Sequence, residues 1–209
     1  MRPKHDDPRG PTVGMVVLAE QRHGGVQDED MLFGTLDFEP ASGNRGLLAA
    51  PTSAALADRD DAVLVAAIDP DLADTQAFCD HYEIAVEAGA NCVIVEAKRG
   101  ERTWYAACLV LGSDKVDVNG FVRKHLGAKK ASFAATETAT ALTRMEYGGI
   151  NPIGIPADWP VLVDEAVAAG DQLVIGSGIR GSKLLVTGAF LAALPNAEVL
   201  PIARRLDDS

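Results

Sequence analysis

The sequence predicts an α+β domain. Short apolar, β-rich runs alternate with short capped helices along most of the chain. Apolar residues make up 47% of its 209 positions but aromatics only 5%, so the core is expected to be built of Ala, Val, Leu and Ile. One stretch interrupts this alternation: Tyr147-Gly148-Gly149-Ile150-Asn151-Pro152-Ile153-Gly154-Ile155-Pro156. Its glycines and prolines exclude both a helix and a central strand.

Taken in order, residues 1–30 are charged and Gly-rich around an apolar island at 13–18, and a poorly ordered tail is expected there. Met15 and Met31 are alternative starts. A single domain follows over 31–203, with a short tail at 204–209. Residues 31–38 alternate as a strand, and 40–45 form a turn. Pro51 suits the first turn of a short helix over 52–57. The apolar run 62–68 is a buried strand; Asp69-Pro70-Asp71 ends it and caps a helix over 72–82. Asp69, Asp71 and Asp74 answer that helix's dipole, and no metal is expected. Runs 92–97 and 103–111 make a hairpin with the charged tip Lys98-Arg99-Gly100-Glu101-Arg102. After a short strand at 116–118, Asn119 caps a helix over 121–126 that Gly127 stops. A small helix over 136–142 leads into the glycine–proline stretch. Strands at 160–163, 173–175, 184–186 and 198–202, a turn or short helix at 166–169 and a helix at 189–194 complete the domain.

The net charge of −11 and pI near 4.7 point to a soluble protein and argue against broad, nonspecific nucleic-acid affinity, while leaving room for a local basic patch. No run approaches the ~18 apolar residues of a membrane span, and the polar start does not read as a signal peptide. Cys79, Cys92 and Cys108 are odd in number and widely spaced, which suits reduced thiols in the cytoplasm.

Gly176-Ser177-Gly178-Ile179-Arg180-Gly181 matches a dinucleotide fingerprint after a strand. The segment that follows is too short and too β-like for the required helix, so no cofactor is expected. The better reading is a tight turn that aims Arg180 and Lys183. There is no G-x-S-x-G elbow, H-E-x-x-H pair or C-x-x-C pair, and the four histidines are scattered, so a Ser-His-Asp machine is not expected. Gly148-Gly149 permits positive φ and lets another group approach bare backbone. A pocket wall and a structural crossover between strands both fit the stretch.

Four segments occur in order: Val122-Arg123-Lys124-His125-Leu126-Gly127-Ala128-Lys129-Lys130-Ala131-Ser132-Phe133-Ala134; the glycine–proline stretch; Pro160-Val161-Leu162-Val163-Asp164; and Gly176-Ser177-Gly178-Ile179-Arg180-Gly181-Ser182-Lys183-Leu184. Together they resemble the YbaK/EbsC-like, prolyl-tRNA-synthetase-associated editing domain over roughly residues 62–203. The resemblance implies a mixed, barrel-like curled β-sheet surrounded by helices. It implies hydrolysis of the ester in mischarged aminoacyl-tRNA without a cofactor. The implied partners are the tRNA acceptor end and an aminoacyl-tRNA synthetase.

In that family the glycine loop lines the amino-acid pocket, and the 2′-hydroxyl of the terminal adenosine assists. Carried over, the Gly148 and Gly149 N–H groups would hold the oxyanion, with Asn151 and Pro152 shaping the pocket. The family's strand lysine is replaced here by Cys92, a small apolar pocket residue rather than a nucleophile. Lys98 is on the same strand face but about 20 Å further along, and reads as a surface charge. Lys183 is expected to compensate by pointing into the pocket beside Cys92, and Arg180 to face the substrate's phosphate or ribose. Arg123, Lys124, Lys129 and Lys130 form either a solvated face or a set of tRNA phosphate contacts. A Gly149→Val side chain is expected to block the pocket with the fold intact. Two functions follow: a deacylase acting in trans, or a catalytically silent ligand- or tRNA-binding paralogue.

Overall fold

A computed structural model describes residues 31–57 and 63–204. The expected tail at 1–30, and all but the first residue of the one at 204–209, lie outside the described residues. Strands β1 (Met31–Phe33), β2 (Leu36–Pro40), β3 (Leu64–Ala67), β9 (Leu173–Gly176) and β10 (Ser182–Val186) form one sheet in the order β1-β2-β3-β10-β9, antiparallel throughout. The second sheet contains β4 (Ala90–Arg99), β5 (Arg102–Leu111), β7 (Lys130–Phe133), β8 (Val161–Asp164) and β11 (Ala197–Leu200). Its order is β11-β8-β5-β4-β7, with β8 parallel to both β5 and β11. Two short strands, β6 (Lys115–Val116) and β12 (Ala203–Arg204), pair with each other. A parallel bridge between Gly89 and Val174 joins the two larger sheets. The result is a mixed α+β fold with a strongly curled half-barrel sheet and helices around it.

The core follows from strand patterning. All of β8 is buried, as a continuous apolar run between two parallel neighbours requires. Leu109, Leu173, Ile175 and Leu191 pack with it in the main core. Strand β10 sends Leu184 and Val186 into that core and Leu185 to the opposite face, where it meets Ala73, Phe78 and Cys79. Successive side chains of a strand alternate between faces. That alternation puts Lys183 on the Leu185 side, under helix α2 (Thr75–Tyr82).

Four local expectations are corrected. Residues 31–38 are a hairpin, not one strand, because Gly34 turns at φ +63; a Cβ there would stand 2.3 Å from the Tyr82 carbonyl oxygen. The helix expected over 72–82 is divided. Asp69 caps a 3-10 turn at Pro70–Leu72, and extended backbone at Asp74 separates this turn from α2. The cap of the following helical segment is Asp117, not Asn119. Its carboxylate accepts the Gly120 and Phe121 N–H groups at 2.9 Å each, because the chain enters through a wide turn at Val118–Val122 before α3 (Arg123–His125). Strand β7 adds an element that the sequence pattern does not show. It is an edge strand with three of four residues exposed, so it lacks the apolar alternation that marks half-buried strands.

Candidate active site

A cavity of about 460 Å³ opens between α2, β4, the β9–β10 hairpin and the glycine loop. Its walls are largely apolar, with Phe78, Ile94, Ala139, Ile150, Val174 and Ile175 among them. Among the described residues that line it, Lys183 is the only cation and Asp74 the only carboxylate.

Lys183 is 8% exposed. Its Nζ donates to the Ala73 carbonyl at 2.9 Å and the Gly148 carbonyl at 3.4 Å. It also stands 5.2 Å from the centre of the Phe78 ring, a cation–π geometry. An ammonium carries three protons, so one remains beyond these two acceptors. Burial pulls the Lys183 pKa down from 10.5 to about 8; Asp74 and Cys79 act against that shift and Arg180 adds to it. Cys92 lines the same cavity. Burial, and secondarily Cys108, push its thiol far above the ordinary range, so it stays protonated and is a poor nucleophile.

The glycine loop divides into two roles. Gly148 lines the cavity at φ +83, and its N–H has no partner among the described residues. Gly149 does not line the cavity. Its N–H donates to the Glu146 carbonyl at 3.0 Å, and its carbonyl accepts from Gly178 N–H at 2.7 Å. A Cβ on Gly149 would lie 2.6–2.8 Å from backbone atoms of Ile179. The expected oxyanion donor at Gly149 is therefore already engaged. The bare backbone there serves close packing, so Gly149→Val does not leave the fold intact.

Three further expectations are revised by where the side chains go. Asn151 is fully buried; its Nδ2 donates to Thr52 Oγ1 at 3.1 Å, and its Oδ1 accepts Ile153 N–H at 2.7 Å. It ties the loop to helix α1 (Ala50–Ala55) rather than to the cavity. Pro152 lines a separate hollow of about 190 Å³ with Trp159. Arg180 is a clasp: Nε and Nη2 donate to the Pro70 carbonyl at 3.2 and 2.9 Å, and Nη1 to the Tyr147 carbonyl at 3.2 Å.

At the mouth stand two exposed aromatics, Phe133 (58%) and Tyr147 (59%). From Phe133, β7 runs back to Lys130, which pairs across the sheet with Lys98. Lys98, Arg123, Lys129 and Lys130 border a shallow surface depression, and Lys124 follows Arg123 on α3. Lys98 is ion-paired with Glu96 at 2.5 Å and does not line the cavity. Sequence reasoning placed Tyr147 in a stretch that suits a pocket wall but missed Asp74 and Phe133 as cavity residues. Neither carries a local signal: Asp74 reads as an ordinary acid at a helix start, and Phe133 ends an exposed edge strand without apolar alternation.

Among the described residues, no group of three or more His, Cys, Asp or Glu side chains is placed to hold a metal ion. None of their helices is long and apolar enough to cross a membrane.

The aminoacyl-tRNA editing domain model matches residues 69–194, more than half of the chain. The chain belongs to that family. Solved structures share the fold of this editing domain. One, described as a candidate trans-editing enzyme for prolyl tRNA synthetase, is 20% identical with a TM-score of 0.64, covering 75% of this chain and 96% of that one. A second, from work on grafting linear epitopes onto scaffold proteins, is 19% identical with a TM-score of 0.64, covering 75% and 97%. A hypothetical protein is 17% identical with a TM-score of 0.57, covering 63% and 85%. The matched span of the editing domain runs from Asp69 past Lys183 and includes every residue named above as lining the cavity.

Proposed function

We propose that this chain is a cytoplasmic aminoacyl-tRNA deacylase, with one editing domain over 31–203 that hydrolyses the ester of mischarged tRNA in trans. The observation that supports this reading is the buried Lys183 ammonium facing an apolar cavity beside Gly148 in an editing-domain fold. Lys183 takes the place of the family's strand lysine, lost to Cys92. Its free N–H, with Gly148 N–H, stabilises negative charge on the carbonyl oxygen of the ester as water adds to the carbonyl carbon. The bond to the ribose oxygen then breaks and that oxygen takes a proton from the water to become a hydroxyl. The amino acid leaves as a carboxylate, and the second proton of water passes to solvent. Lys183 is buried, and a charged donor held out of water is worth more than one in it.

Arg123, Lys124, Lys129 and Lys130 contact acceptor-end phosphates, and β7 leads from them to the mouth. Phe133 and Tyr147 offer faces on which unpaired bases stack. A synthetase is a further partner, as the source of the mischarged tRNA. Two observations favour the alternative, a silent ligand- or tRNA-binding paralogue: Cys92 in place of the lysine, and the Gly149 N–H already bonded to Glu146. A deacylation screen over mischarged tRNAs with wild type and Lys183→Met separates the two. The deacylase reading expects turnover by wild type and a loss of roughly a hundredfold or more in the variant. Binding of tRNA without turnover of any ester would establish the alternative.

A further inference from the structure

We propose that Asp74 recognises the α-ammonium of the aminoacyl group, so that the cavity selects esters of free-amine amino acids over those whose amine is blocked. This inference rests on the deacylase reading of the same cavity and adds a specificity residue to it. An aminoacyl ester carries a carbonyl and an ammonium on adjacent carbons. The cavity carries the complementary pair, an ammonium held within it and a carboxylate at its edge. The two are tied together through the backbone: the Ala73 carbonyl anchors Lys183, and Asp74 is the next residue.

The Asp74 carboxylate feels the Lys183 charge but has no hydrogen-bond partner among the described residues. It occupies the N-cap position of α2, yet its side chain makes no capping hydrogen bond. The preceding turn is capped by Asp69 instead. No hydrogen bond or ion pair among the described residues engages it. The other polar side chains at this end of the cavity, Thr75 and Asn91, bond to each other at 2.9 Å. An ammonium entering beside Lys183 meets like charge and an apolar wall, both unfavourable. Asp74 is the one lining group that offsets this, and it offers a charge-assisted hydrogen bond as well.

The test uses 3′-alanylamido-3′-deoxyadenosine, whose amide resists hydrolysis, and its N-acetyl form, with the valyl pair as a size control. Binding to the full chain is measured near pH 6.5, below the ~7.7 of an α-amino group, for wild type, Asp74→Asn and Asp74→Glu. Asn is isosteric and a good N-cap residue, and a thermal melt confirms that the fold persists. Wild type should bind the free-amine probes roughly tenfold more tightly than the acetylated ones. Asp74→Asn should abolish that preference while leaving acetylated-probe binding within about twofold, and Asp74→Glu should restore part of it. Equal binding of both forms by wild type, no binding of either, or an unchanged preference in Asp74→Asn would overturn the assignment. Turnover of alanyl-tRNA and N-acetylalanyl-tRNA is followed in parallel. Amine-selective binding with no ester cleaved would sink the deacylase reading and leave Asp74 standing; cleavage without amine selectivity would do the reverse.

Discussion

Replacing Lys183 by Met tests whether the cavity really holds a desolvated cation. The folded chain lowers the Lys183 pKa from 10.5 to about 8, which at 1.36 kcal/mol per pH unit corresponds to about 3 kcal/mol. A folded value below the unfolded one means that the unfolded chain holds the proton more tightly. Below about pH 8 the full cost of burying the charge is present. Between about 8 and 10.5 the unfolded state binds more protons, so stability rises with pH across that window. Urea denaturation of wild type and Lys183→Met at pH 7 and 9.5 reads this out. Wild type should gain about 2 kcal/mol relative to the variant over that interval. The variant serves as the control for titrating groups that do not interact with Lys183. A stability difference that stays flat with pH would refute the placement of a charged Lys183 in this cavity. The variant leaves the Ala73 and Gly148 carbonyls without their donor, which costs roughly 1 kcal/mol each. It should therefore gain little net stability at pH 7 while losing activity.

Gly149→Val should destabilise the fold by roughly 3 kcal/mol or more, because its Cβ meets the Ile179 backbone rather than a flexible side chain; an unshifted urea midpoint would show that the loop yields. Replacing Lys124, Lys129 and Lys130 by Ala should flatten the salt dependence of tRNA binding by up to about 0.9 for each phosphate that is no longer neutralised, and an identical slope would remove this surface from consideration. Cys92→Ser should retain deacylation within about threefold, since burial keeps the thiol protonated; complete loss in a folded variant would make the thiol a participant.

Much of the fold was legible because its strands carry their own signals. The β4–β5 hairpin shows two β-rich runs around a charged tip, and the central β8 shows a continuous apolar run. Where the pattern runs on without a break, as from Met31 to Phe38, the turn at Gly34 is hidden. Where the strand is exposed, as in β7, no alternation exists to be read. The site divides along the same line. Lys183 could be named from its place after a tight turn, since strand alternation gives its face. Arg180, Asn151 and Gly149 could not be assigned, because their partners at Pro70, Thr52 and Ile179 are set by tertiary packing. In the sequence Asp74 looks like an ordinary helix acid. Only the break in the helix at that residue frees its carboxylate for the cavity.

The bridge between the two larger sheets has a consequence for how this protein can change. Gly89 and Val174 are joined there, and both residues also line the cavity. The seam of the half-barrel thus lies in the cavity wall, so a change in the angle at which the sheets meet would change its width. Volume changes among Leu109, Leu173 or Leu184, none of which lines the cavity, would alter that angle by prising or relaxing the two layers. The size of molecule that the cavity admits would therefore drift through ordinary repacking of the interior while every lining residue stays the same. Comparing lining residues alone would miss such a divergence between two members of the family.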